Sequence, residues 1–203
     1  FPYTTLFRSG LLCAHKKAIP LLYPGMRDIE KNWTPLVDSK EELYLVYSFA
    51  PYQLLHVNIE TGICKTLSTQ NIPLSWDGGE IRGGTPFIRT ETGFLTFFHS
   101  SFPSSAWTFF GVKTGRNMVQ GALLVEKEYP FSPLSISSSY IGTEKAYKHN
   151  NRRKVIFPGG LVEKKDILYL AWGKNDNQLW ITLLDKAKLE QEMSSIFFSQ
   201  EKN

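Results

Sequence analysis

Three segments of the chain repeat one template: a short apolar strand, a turn, a second apolar strand, and a small or polar group at its end. Thr34-Pro35-Leu36-Val37 leads into Leu43–Tyr47 and Ser48, and Thr85-Pro86-Phe87-Ile88 leads into Phe94–Phe98, His99 and Ser100. The third copy runs from Phe157-Pro158-Gly159-Gly160-Leu161-Val162 into Ile167–Ala171, Trp172 and Gly173. In each copy the first strand leads the second by nine or ten residues, so each reads as a hairpin. A hairpin cannot bury both faces alone. Similar units at a period of about 50 residues therefore point to radially packed sheets, as in a β-propeller. In that arrangement equivalent strand ends converge, and His99, Ser48 and the Gly173–Asp176 loop are expected in one pocket.

The composition agrees with sheets. Among 203 residues there are 14 Phe, 9 Tyr and 5 Trp, an aromatic load that suits strands better than a helical bundle. The formal charge of +4 is mild, and the one tight basic run is Arg152-Arg153-Lys154 after Lys148 and His149. That run reads as a solvated loop, so no nucleic-acid partner is expected. No apolar run approaches the ~20 residues of a membrane span, so no membrane partner is expected either. Cys13 and Cys64 form neither a disulfide framework nor a CxxC metal spacing. Two reduced thiols in a cytoplasmic protein are the expectation.

Phe1–Ser9 resemble a translated sequencing-adapter read-through and are set aside from fold reasoning. Residues 10–28 read as the remnant of a preceding blade, and 29–203 as blades of a single domain. Thr61-Gly62 and Thr92-Gly93 are turn signals, residues of about 101–121 an insertion, and Gly121–Glu126, Leu134–Ser139 and Gln178–Leu184 further strands. Asp185 is placed to cap a helix from Lys186 to about Phe197, with Leu189, Met193, Ile196 and Phe197 on one stripe.

Four groups carry candidate chemistry. In Arg82-Gly83-Gly84 the glycines allow close backbone approach to a ligand and Arg82 offers a planar fork for two oxygens; alternatively the segment is a tight turn with Arg82 paired to Glu80. His99 ends an apolar strand on the face opposite Phe98 and is either a structural hydrogen-bonding group or a donor to an anion or sugar hydroxyl. In Glu30-Lys31-Asn32-Trp33 an indole and two donors suit a sugar; the other reading is a core Trp33 beside exposed charges. Asp176 is either an acceptor for substrate hydroxyls or a turn residue. Ser100 adjoins His99 on a strand and points to the other face, so no Ser/His/Asp triad is supported.

Glu30-Lys31-Asn32-Trp33-Thr34-Pro35, Tyr47-Ser48 with Pro51, Arg82-Gly83-Gly84-Thr85-Pro86, Phe98-His99-Ser100, Phe157-Pro158-Gly159-Gly160 and Trp172–Asp176, in this order, resemble glycoside hydrolase family 130, five-bladed β-propellers that include β-mannoside phosphorylases and hydrolases. The resemblance covers about residues 29–190, roughly three of five blades, and implies an all-β fold with a short C-terminal helix. It implies inversion on β-mannoside-like glycans, with an oligosaccharide or glycoside as partner and the number of subunits left open. Lys31, Arg82 and His99 would bind phosphate or another anion, and Asn32, Trp33 and Asp176 the sugar. No cofactor is implied beyond inorganic phosphate as co-substrate, and no metal.

Two departures matter. The family's general-acid aspartate belongs to an early-blade motif not found here, so an N-terminally truncated, inactive fragment is expected. Ser100 stands where the family usually has Gly, which weighs against phosphorolysis relative to hydrolysis or transfer. The alternative is a non-catalytic glycan-binding propeller associated with a glycosyltransferase.

Overall fold

Phe94-Leu95-Thr96-Phe97-Phe98 is apolar on both faces, and a strand of that kind belongs between two layers. The protein's structure, a computed structural model, describes residues 18–108, 111–141 and 155–196, apart from the side chains of 104–108 and 111–116. These residues are all-β with one short helix. The first sheet is an antiparallel meander of β1 (Thr34–Val37), β2 (Leu43–Phe49), β3 (Tyr52–Val57) and β4 (Cys64–Gln70). The second holds β5 (Glu80–Arg82), β6 (Ile88–Arg89), β7 (Phe94–Thr108), β8 (Gly111–Val125) and β9 (Pro133–Ser137), and the third β10 (Ile156–Lys164), β11 (Ile167–Lys174) and β12 (Gln178–Asp185). Helix α1 (Lys186–Glu192) then returns the chain to the second sheet, where β13 (Met193–Ser195) pairs with β9.

The two faces of β7 each fill a core. Phe94 and Phe98 pack with Leu36, Val46 and Leu54 of the first sheet. Leu95 and Phe97 pack with Leu168, Leu170 and Trp172 of the third. Burying a side chain of this kind is worth about 1.5–3 kcal/mol, so both layers are held by the middle one. Short polar side chains close the first sheet's turns. Asp38 Oδ1 accepts from the N–H groups of Lys40 (2.8 Å) and Glu42 (2.9 Å), and Asn58 Oδ1 from those of Glu60 and Thr61 (both 3.0 Å).

The first and third template hairpins form as read, the third with a bulge between Pro158 and Gly160. In the second the leading strand is broken into β5 and β6, since Pro86 has no N–H to give a ladder. Thr85 bridges the gap: its N–H donates to Phe97 O (2.9 Å) and its hydroxyl oxygen accepts from Phe97 N–H (3.0 Å).

The stretch from about 101 to 121, read as an insertion, is strand. β7 and β8 pair without a break from Phe94↔Val125 to Thr108↔Gly111, extending the hairpin. The terminal helix is shorter than its apolar stripe suggests. Asp185 caps it as expected, accepting from Lys188 N–H at 3.0 Å, but Met193 is extended (φ −78°, ψ 130°) and pairs opposite Ser137. The stripe is shared between two cores: Leu189 and Met193 join the second-to-third sheet cluster, Ile196 the first-to-second. Pairing of β13 overrides helical periodicity there. Phe197, the basic run through Lys154, Cys13 and residues 1–17 lie outside the described residues.

Residues 18–33 form a strap over the outer face of the first sheet. Leu22 makes a parallel bridge to Ile63 at the edge of β4, donating to Gly62 O (2.9 Å) and accepting from Cys64 N–H (2.8 Å). Tyr23 and Trp33 then pack against the buried Leu45, Leu55, Val57 and Cys64. Burial pushes the Cys64 thiol pKa up, which leaves it unreactive.

Candidate functional site

The strap's geometry is set by one carboxylate. Glu30 accepts from the backbone N–H of Arg27, from Trp33 Nε1 at 2.9 Å, and from the Tyr47 hydroxyl at 2.9 Å. That hydroxyl is also 3.1 Å from Gly25 O, so its single proton is shared between two acceptors. Burial pushes the Glu30 carboxyl up, but these donors and the Arg27 charge outweigh it and hold the pKa below its ordinary value. Glu30 is thus a fixed anion. Trp33 and Tyr23 meet the Tyr47 ring edge-on, at centroid distances of 5.3 and 5.1 Å.

Asn32 sits in the left-handed region (φ 64°), a conformation Asn tolerates better than most residues. Trp33 packs onto the sheet, while Lys31 and Asn32 line a cavity of about 330 Å³. Arg27 and Glu30 from the strap, Ser48 from the end of β2, and Glu80 and Arg82 from β5 line it too. Arg82 Nη2 donates to Glu80 Oε2 at 2.6 Å, so the ion-pair reading of Arg82 holds, and the pair faces the cavity rather than being remote from it.

The paired glycines serve the protein's own backbone. A Cβ on Gly83 would collide with Asn32 O and Thr34 Oγ1, and one on Gly84 with Phe97 O and the Pro158 ring. The Arg82-Gly83-Gly84 segment is therefore squeezed between the strap's end, β7 and β10. Close approach is needed there.

His99 lies directly opposite Arg82 across the β5–β7 pair and is only 4% exposed. Its ring packs on Phe157, with centroids 4.8 Å apart, on the face opposite Phe98. Burial, opposed by a hydrogen bond to the Gly83 backbone and helped by the nearby charges of Arg82 and Lys31, pulls its pKa down to about 4. His99 is consequently neutral near pH 7, and its Nδ1 has no partner. The expected meeting of His99, Ser48 and the Gly173–Asp176 loop in one pocket is not seen at this cavity: Ser48 lines it, whereas the neutral, buried His99 and the loop do not.

The remaining candidates separate. Trp33 has its indole N–H on Glu30 and its ring in the outer cluster of the first sheet, so the core reading describes it. Asp176 is exposed in the β11–β12 turn, where Asn175 and Asp176 both have positive φ (53° and 57°), and it is not among the cavity residues. Asn and Asp are suited to that backbone. Ser100 accepts from Trp76 Nε1 at 2.7 Å and is structural. Of the candidate binding residues named in the sequence, Lys31, Asn32 and Arg82 share the cavity, together with Ser48. Arg27 falls in the 10–28 stretch that reads as the remnant of a preceding blade, although it stands only three residues before Glu30. No group of three or more His, Cys, Asp or Glu placed to hold a metal occurs among the described residues.

No family model matches this chain. Over 68 residues it is 38% identical to Beta-mannosyltransferase 3 of Komagataella phaffii, a match covering 31% of this chain and 11% of that protein. The solved structure of a β-1,2-mannobiose phosphorylase from Listeria innocua, in complex with β-1,2-mannobiose, is similar with a TM-score of 0.58 at 14% identity. That similarity covers 82% of this chain and 47% of the phosphorylase, so the chain spans about half of its structural relative and about a tenth of the curated one. The likeness establishes a shared fold.

Proposed function

We propose that this chain carries the glycan- and anion-binding part of a carbohydrate-active β-propeller that acts on β-mannosides with inversion, as a phosphorylase or hydrolase. The observation that carries the reading is the cavity in which Lys31, Asn32 and Arg82, from two distant parts of the chain, stand with Ser48 at a strand end. Cations there would align an oxyanion, and the amide and hydroxyl would bond sugar hydroxyls, work that is positioning and electrostatics. The two comparisons support a mannoside as the glycan: both similar proteins bear mannose-linked names.

Glu30 is an acceptor in this scheme. A carboxylate held ionised by three donors cannot protonate a glycosidic oxygen, and the acid of an inverting reaction must have a raised pKa. The likeness to a β-mannosyltransferase favours a second reading, a glycan-binding propeller working beside a glycosyltransferase. The two readings are tested together. Calorimetric titration with β-1,2-mannobiose should give saturable binding that Asn32→Ala weakens. Mannose 1-phosphate formed from β-1,2-mannobiose and phosphate selects the phosphorylase, and binding without turnover selects the second reading. No binding of any β-mannoside rejects both.

A further inference from the structure

The cations lining the cavity are not equivalent. Arg82 is already engaged, with Nη2 2.6 Å from Glu80 Oε2, and an incoming anion must compete with that carboxylate. His99, neutral and enclosed, supplies no positive charge. Arg27 also feels a carboxylate, since its charge helps hold Glu30 ionised, but it makes no ion pair with it. Its guanidinium carbon lies 5.7 Å from the centroid of the Tyr47 ring, within the range of a cation–π contact. Among the described residues none of the ion pairs involves Arg27 or Lys31.

The ring beneath Arg27 is held from three sides. Its hydroxyl is tied to Glu30 and Gly25 O, and Trp33 and Tyr23 pack against it edge-on. A guanidinium resting on a fixed ring keeps its planar fork of N–H donors oriented, so less freedom is lost when two oxygens are bound. Lys31, four residues on and lining the same cavity, adds a point charge.

We infer that Arg27, seated on Tyr47 and acting with Lys31, is the principal ligand for a phosphate-like oxyanion in this cavity, and that Arg82 in its pair with Glu80 is a secondary one. The inference rests on the oxyanion part of the reading proposed above. The covered side of the first sheet then carries both the glycan donors and the anion clamp.

The test is calorimetric titration of the whole chain with inorganic phosphate, with far-ultraviolet circular dichroism as a check on folding. Arg27→Ala should raise the phosphate Kd about 10-fold or more, the loss of a charge-assisted bidentate contact. Arg27→Lys, which restores charge without the fork, should recover only part of it. Arg82→Ala should change Kd by less than about threefold, because Arg82 is already engaged with Glu80 and gives the anion only a secondary contact. Arg27→Ala within about twofold of wild type, with Arg82→Ala abolishing binding, overturns the assignment to Arg27 and leaves the anion reading standing. A wild-type chain that shows no saturable phosphate binding overturns both.

Discussion

The first and third sheets are both outer layers with apolar residues on both faces, yet among the described residues only the first has its far side covered. On the first, Leu45, Leu55, Val57 and Cys64 lie beneath Tyr23 and Trp33 of the strap and are at most 5% exposed. On the third, Val162, Ile181 and Leu183 are 62–65% exposed and Leu179 is 91% exposed. Alternation in the strand demands a cover in both cases. A local segment supplies it in one, and that same segment carries Arg27, Lys31 and Asn32 to the cavity. Covering a sheet and building a site are here one structural act.

The comparison can be broken most readily by paired truncations. Leu55→Ala under the strap should cost about 2–5 kcal/mol, as for a fully enclosed leucine. Leu179→Ala on the bare face should stay within about 0.5 kcal/mol. Urea denaturation measures both, and similar losses would show that the two faces are equally packed.

Acidification separates the strap from the far side of the middle sheet. His99 is a base whose folded pKa, about 4, lies below its unfolded value. Its contribution is complete above about pH 6.5 and is lost as pH falls through that range toward 4, up to roughly 3 kcal/mol. Glu30, also depressed, is lost only below the ordinary carboxylate range of about 4.3. Stability measured from pH 7 to 3 should therefore fall in two stages. His99→Gln should flatten the upper stage and Glu30→Gln the lower one.

A smaller effect sharpens the role of the strap. Trp33→Phe keeps a ring against Tyr47 but removes the indole donor to Glu30, and should cost about 1 kcal/mol in thermal denaturation. Smallest in stability is the triple change Leu179→Thr, Ile181→Thr, Leu183→Thr, expected to alter the unfolding free energy little. It should instead reduce concentration-dependent self-association and hydrophobic-dye binding, because a bare apolar sheet face and an unprotected edge strand invite contact. Light scattering at matched concentrations checks it.

Strands whose alternation is local were legible. β2, β3, β11 and β12 follow from apolar runs bounded by turn residues, and the Asp185 cap from a single side chain. The long β7–β8 hairpin was not, since Ser, Pro and Gly between 101 and 115 give no apolar period and only cross-strand pairing makes it a ladder. Helix α1 was overdrawn because Met193 and Ile196 fit a 3.6-residue stripe equally well when they enter two different cores. At the site, the motif resemblance singles out Lys31 and Arg82, which share the cavity with Asn32, and strand alternation puts His99 opposite Phe98. His99's burial was not, because it depends on Phe157 and Gly83 closing over it. The turn role of Asp176 is local, one of the two readings its Asn-Asp loop offers, whereas the inward turn of Trp33 is decided by tertiary contacts that spacing does not encode.

The cavity between strap and strand ends is what every functional statement here depends on. Amide chemical-shift mapping by NMR during titration with β-1,2-mannobiose in the presence of phosphate tests it most directly. Shifts should cluster within residues 27–32, 47–50 and 80–83, the segments that line the cavity. Shifts confined to the exposed face of β10–β12, or scattered without a cluster, would contradict the account.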